Sequence, residues 1–83
     1  MKINIRYFAS IREAVGQASE SLDTTAVTLA QLRDELIARP GNVGESLARG
    51  RAVRMALNQV MSDESAALVE GCEVAFFPPV TGG

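Results

Sequence analysis

Eighty-three residues, 47% hydrophobic and 22% charged, are enough for one small folded domain and argue against both disorder and a second core. A net charge of −2 leaves no basic stripe for nucleic acid, and no apolar run approaches the ~20 residues a membrane helix needs. With no histidine anywhere in the chain, a Ser-His-Asp triad and HExxH zinc chemistry are excluded, so a self-sufficient hydrolase or metalloenzyme is not expected.

The first element is a strand over Ile3 to Phe8. Ile3, Ile5 and Tyr7 share one face and Lys2, Asn4 and Arg6 the other, with Phe8 falling by parity among the polar side chains. Ser10 and Glu13 have capping-box spacing and Gly16 is a suitable stop, which predicts a short helical turn over Ile11 to Val15. A weak second strand follows around Ala18 to Leu22. Thr28 and Gln31 form a second capping box, Val27 and Leu32 have the spacing of a hydrophobic staple, and Leu29, Leu32, Leu36 and Ile37 draw one apolar stripe. That pattern predicts the main helix, Leu29 to Ala38, ended by Pro40-Gly41 after Arg39.

Asn42 to Gly50 reads as a connector with one helical turn at Glu45 to Ala48. Val53, Met55 and Leu57 alternate with Arg54, Ala56 and Asn58 as a third strand. Val60-Met61 starts a short edge strand, Gly71 marks a turn, and Glu73 to Phe77 is the last strand, halted because Pro78 has no N–H for the ladder. The sum is an α+β domain, one helix on one face of a small mixed sheet. MKINIRYF lacks a signal-peptide core, and the single Cys72 cannot form an internal disulfide. The cytoplasm is therefore the expected compartment.

The chain ends FFPPVTGG, stiff and then permissive. The plain reading of Gly82-Gly83 is a frayed terminus. The functional one is delivery. Pro78-Pro79 project an extended piece, and Pro78, Pro79, Val80, Thr81, Gly82 and Gly83 together could span roughly 20 Å. Two residues without Cβ pass a narrow channel and leave the terminal carbonyl unhindered. Thr81 to Gly83 are expected to be mobile in the isolated protein. An ionised α-carboxylate is a poor electrophile and must be activated, as an acyl phosphate or adenylate, before it carries anything. No P-loop or GxGxxG is present, so the activating chemistry belongs to a partner.

From IRYFASIREAVG through ALNQ to GCEVAFFPPVTGG, the chain resembles along its full length the small, sulfur-carrying subunits of molybdopterin synthases. The resemblance implies a ubiquitin-like β-grasp domain over residues 1–77 with its first and last strands adjacent and parallel, and a flexible tail over 78–83. It implies that the Gly83 carboxylate is adenylated by an E1-like enzyme that uses ATP, then converted to a thiocarboxylate. The large catalytic subunit, in an expected heterotetramer, would accept the tail and present cyclic pyranopterin monophosphate, whose dithiolene needs two sulfur transfers. No cofactor is bound in this picture, the sulfur being carried covalently on Gly83, and the chain alone is not an enzyme. One departure stands out: Gly71-Cys72-Glu73 replaces the family's usual Gly-Asp-Glu. Cys72 is read as a turn residue in place of Asp, with a thiol for sulfur relay as the lesser alternative.

Parity supplies the remaining expectation. Val74 and Phe76 face the core, so Phe77 faces away, as Phe8 does. If the first and last strands are neighbours, Phe8 and Phe77 form an apolar patch with Met61 at its edge, a docking surface unless a loop covers it. Glu64, Glu70, Glu73, Arg6, Arg12 and Arg54 are expected to be solvated. Two other functions remain open: a thiamine-pathway sulfur carrier, and a ubiquitin-like modifier or plain binding module.

Overall fold

Alternation at the start of the chain builds β1, Lys2–Tyr7, in which Ile3, Ile5 and Tyr7 are buried to within 1% of their surface. The computed structural model describes residues 1–79. Phe8 is not in the strand but keeps its direction: its backbone is extended and its N–H donates to the Phe76 carbonyl at 3.1 Å. Helix α1, Ala9–Val15, begins there. The Phe8 carbonyl accepts from Ile11 and Arg12, and Ala9 takes the left-handed φ of 51° that turns the chain off the sheet. Ser10 therefore lies inside the helix, and the expected Ser10–Glu13 capping box does not form, because no side chain caps this end. The other end is as expected, with Gly16 at φ 89° closing the last turn onto Arg12.

Strand β2, Ser19–Asp23, returns antiparallel to β1. Helix α2, Leu29–Ile37, follows and buries Leu29, Leu32 and Leu36 completely, so the stripe is the core-facing side. Thr28 caps it, accepting from the Gln31 N–H at 3.2 Å, while the Gln31 side chain reaches back to the Val27 N–H at 2.8 Å. The staple is absent: Val27 is 53% exposed. A bridge between Thr28 and Ala67 lays residues 66–68 along this segment, the Leu68 N–H donates to the Val27 carbonyl at 2.9 Å, and Leu68 joins the core cluster that holds Leu32.

Helix α3, Asn42–Ser46, starts three residues earlier than expected. It runs so close to the end of α2 that a Cβ on Gly44 would lie 2.5 Å from the Ile37 carbonyl oxygen. Strands β3, Arg54–Leu57, and β4, Val60–Ser62, form a hairpin over Asn58-Gln59, both at positive φ, the type I′ geometry. Strand β5, Glu73–Phe77, enters the middle of the sheet, parallel to β1 and antiparallel to β3. The order is β2-β1-β5-β3-β4. The first and last strands are thus parallel neighbours inside a mixed sheet, as the β-grasp resemblance implied, with α2 covering one face.

Cys72 closes the turn at Gly71, its N–H donating to the Val69 carbonyl at 3.1 Å, as expected of a turn residue. It is also 3% exposed and belongs to the core cluster with Ile3, Leu68 and Val74, so it packs as a small hydrophobe, which the sequence did not indicate.

Candidate functional site

The pleat that sends Val74 and Phe76 into the core sends Glu73, Ala75 and Phe77 to the opposite face of the same strand. Register then assembles the outer face. Ala75 sits between Arg6 on β1 and Ala56 on β3, and Ala56 lies opposite Met61 on β4. One step toward the tail, Phe77 lies opposite Arg54. Phe8 meets Phe77 edge to face, ring centroids 6.4 Å apart, and the Arg6 guanidinium lies 5.4 Å from the centre of the Phe8 ring.

The expected patch therefore exists. Phe8 is 40% exposed, Met61 is 55% exposed and Phe77 is half-buried, and among the described residues no helix lies over them. Sequence reasoning missed its floor. Ala56 and Ala75 are 7% and 6% exposed without joining the core cluster, because larger neighbours on their own face shade them. The ALNQ and EVAFF alternation carried that signal: two alanines at outward positions of adjacent strands make a shallow depression. The patch lies where β5 ends and Pro78 and Pro79, both half-buried, lead away. Val80, Thr81, Gly82 and Gly83 lie outside the described residues, and with them the expected mobility of the tip.

Several other charges have structural partners, which corrects the reading of Glu64 as merely solvated. Glu64 joins Arg49 and stands 3.7 Å from Arg33. Arg33, 5% exposed, donates to the carbonyls of Leu47, Ala48 and Arg51, clamping the connector over the end of α2; burial lowers its pKa. Glu20 accepts from the Tyr7 hydroxyl, Gln17 and Arg39. Glu70 accepts from the Lys2 N–H at 3.1 Å. Among the described residues no three His, Cys, Asp or Glu side chains gather as a metal site, and no helix is long and apolar enough to cross a membrane. The distinctive surface is an apolar one beside the root of the tail, suited to holding another protein.

Comparison with known proteins agrees with this geometry. The chain is 36% identical over 81 residues to the molybdopterin synthase sulfur carrier subunit of Escherichia coli, covering 98% of this chain and 99% of that one. It superposes with a TM-score of 0.70 and 26% identity on a chain of the complex of subunits 1 and 2 of molybdopterin-converting factor from Helicobacter pylori, each chain covered in full. The crystal structure of SAMP1 from Haloferax volcanii shares the fold at a TM-score of 0.77 and 22% identity, again with full coverage of both. The ThiS family model matches residues 5–83. By these matches, the chain belongs to the ThiS family.

Proposed function

We propose that this chain is the sulfur-carrier subunit of a molybdopterin synthase, working in the cytoplasm, with residues 1–77 as the docking body and 78–83 as the delivery arm. The full-length likeness to a protein of that name, at 36% identity, carries the reading. The apolar face at the root of the tail supports it, since a carrier must be held while its end reacts elsewhere.

Gly83 is the group that carries the sulfur. Its carboxylate, ionised at neutral pH, attacks the α-phosphate of ATP in the E1-like partner, releasing pyrophosphate and forming an acyl adenylate. A sulfur nucleophile of the partner's system then displaces AMP and leaves a thiocarboxylate. In the large subunit that sulfur attacks a side-chain carbon of the pterin substrate and displaces an oxygen leaving group, and hydrolysis of the thioester so formed leaves the sulfur on the pterin and returns the Gly83 carboxylate for another round. The domain's part is positional. Phe8, Met61 and Phe77 hold the body against the large subunit, Pro78 and Pro79 aim the tail, Val80 and Thr81 bind the partner along its path, and Gly82 keeps it narrow.

Intact mass of the chain after incubation with ATP, the activating enzyme and a sulfur source tests the proposal. A gain equal to replacing one oxygen by sulfur, lost again on adding the large subunit and pterin substrate, is expected. An unchanged mass, or a chain found joined through its terminus to other proteins, overturns it in favour of a binding module or a modifier.

A further inference from the structure

The outer face carries more than apolar surface. Four of the chain's seven arginines, Arg33, Arg39, Arg49 and Arg51, stand in ion pairs with Glu64, Glu20, Asp34 or Glu45. Arg6, Arg12 and Arg54 do not: all three are exposed, and among the described residues none has a carboxylate within ion-pairing distance; Arg12 lies on α1, whereas Arg6 and Arg54 lie on the sheet. Both lie on the face that bears the patch, at its two sides. Arg6 on β1 is opposite Ala75, and Arg54 on β3 is opposite Phe77, with β5 between them, so they stand roughly 12 Å apart, two strand spacings across and two residues along. Glu73 lies two residues along β5 from Ala75, opposite Asn4, and Asp63 and Glu64 line a cleft with Arg54 just past β4; among the described residues none of the three forms an ion pair with Arg6 or Arg54.

Exposed arginines on strands are ordinarily just solvated. Three observations set this pair apart. The chain as a whole is acidic, at −2, so a local cationic face runs against its average. Arg6 is laid over the Phe8 ring, which presents its guanidinium along the rim of the patch. The floor beside the two arginines is Ala56 and Ala75, 7% and 6% exposed and set low among Phe77 and Met61, so the centre of the patch is apolar and carries no charge of its own. Two cations flanking a shallow apolar depression form a complementary imprint of one kind of surface.

We infer that the partner docking on this face is a protein surface that sets carboxylates on either side of an apolar protrusion, the protrusion seated on Ala56 and Ala75 and the carboxylates on Arg6 and Arg54. This rests on the docking role proposed above and adds the partner's chemistry. Opposite charges around a desolvated centre speed encounter and fix orientation, and they make binding depend on salt.

The test is titration of the purified large subunit from the same organism with wild-type chain, Arg6→Glu, Arg54→Glu and the double variant, at about 50 mM and about 500 mM NaCl. Arg51→Glu, beside α3, controls for net charge, and Phe77→Asp reports on the face itself. Thermal unfolding of each variant checks that the fold is kept. The double variant should bind at least about tenfold more weakly at low salt and within about threefold of wild type at high salt, while Arg51→Glu stays within about twofold. A double variant that binds like wild type, or no worse than Arg51→Glu, overturns the inference. If Phe77→Asp then still abolishes binding, the docking face stands and its partner is not anionic; if Phe77→Asp is also silent, the docking role fails with it.

Discussion

The two faces of this sheet are written by alternate residues of the same strands, yet they do different work. On the inner face Ile3, Ile5, Val74 and Phe76 are fully buried beneath Leu29, Leu32 and Leu36 of α2. On the outer face Phe8, Phe77 and Met61 surround two alanines and no described element covers them. Hydrophobicity alone does not separate the two sets. What separates them is whether the chain provides its own cover: where it does, apolar side chains stabilise the fold, and where it does not, they form the surface proposed to hold another protein. Phe76 and Phe77, adjacent in sequence and on opposite faces, are the sharpest instance.

That contrast is open to direct attack. Phe76→Ala should have the largest effect, costing about 3–5 kcal/mol through the cavity left beneath α2, seen as a large drop in the denaturant midpoint. Phe77→Asp, one residue on, should leave the unfolding midpoint nearly unchanged and weaken binding to the large subunit by more than about 1.4 kcal/mol, tenfold in affinity. If the two variants were equally destabilised, the faces would not be functionally distinct.

Smaller effects sharpen the inner side. Thr28→Ala removes the oxygen that accepts from the Gln31 N–H at 3.2 Å, and should cost about 1 kcal/mol of stability with no change in docking. Tyr7 gives a pH signature. Burial and its hydrogen bond to Glu20 raise the hydroxyl well above its ordinary value of 10.0. In the unfolded chain Tyr7 loses its proton near that value while the folded chain keeps it. The stabilisation is therefore whole below about pH 10 and is lost as the pH rises further. Denaturant titrations at about pH 9 and about pH 11 should show a steeper decline in wild type than in Tyr7→Phe, whose own cost at neutral pH is about 1 kcal/mol.

Much of this was legible from side-chain periodicity, and what was not has a local cause. Alternation in KINIRY and EVAFF fixed which residues face in, and so put Phe8 and Phe77 together before any coordinates. The Leu29, Leu32, Leu36 stripe and the Thr28 cap located α2 to within a residue. The errors fall where tertiary contacts outrank local pattern. The ladder bond from Phe8 to Phe76 holds Phe8 extended and starts α1 at Ala9, an alanine at positive φ that nothing in the sequence marks. Val27 loses its staple because residues 66–68, distant in sequence, supply Leu68 instead. The burial of Arg33 depends on three carbonyls in a connector that has no periodicity to read. Two misses did carry a local signal: the alanine floor, in the alternation of ALNQ and EVAFF, and the Asn58-Gln59 hairpin, in an Asn at the first position of a two-residue turn.

The tail gives the most direct test of the central claim, that this fold exists to place the Gly83 carboxylate in other proteins' active sites. Deleting Gly83 leaves a carboxylate on Gly82 but withdraws it by ~3.3 Å, about the separation of groups in position to react. Thiocarboxylate formation with ATP and the activating enzyme, followed by pterin conversion with the large subunit, is the measurement. The account predicts that the shortened chain folds, retains most of its apolar docking and transfers no sulfur. Normal turnover in both steps would show that the C-terminus is not the reactive group.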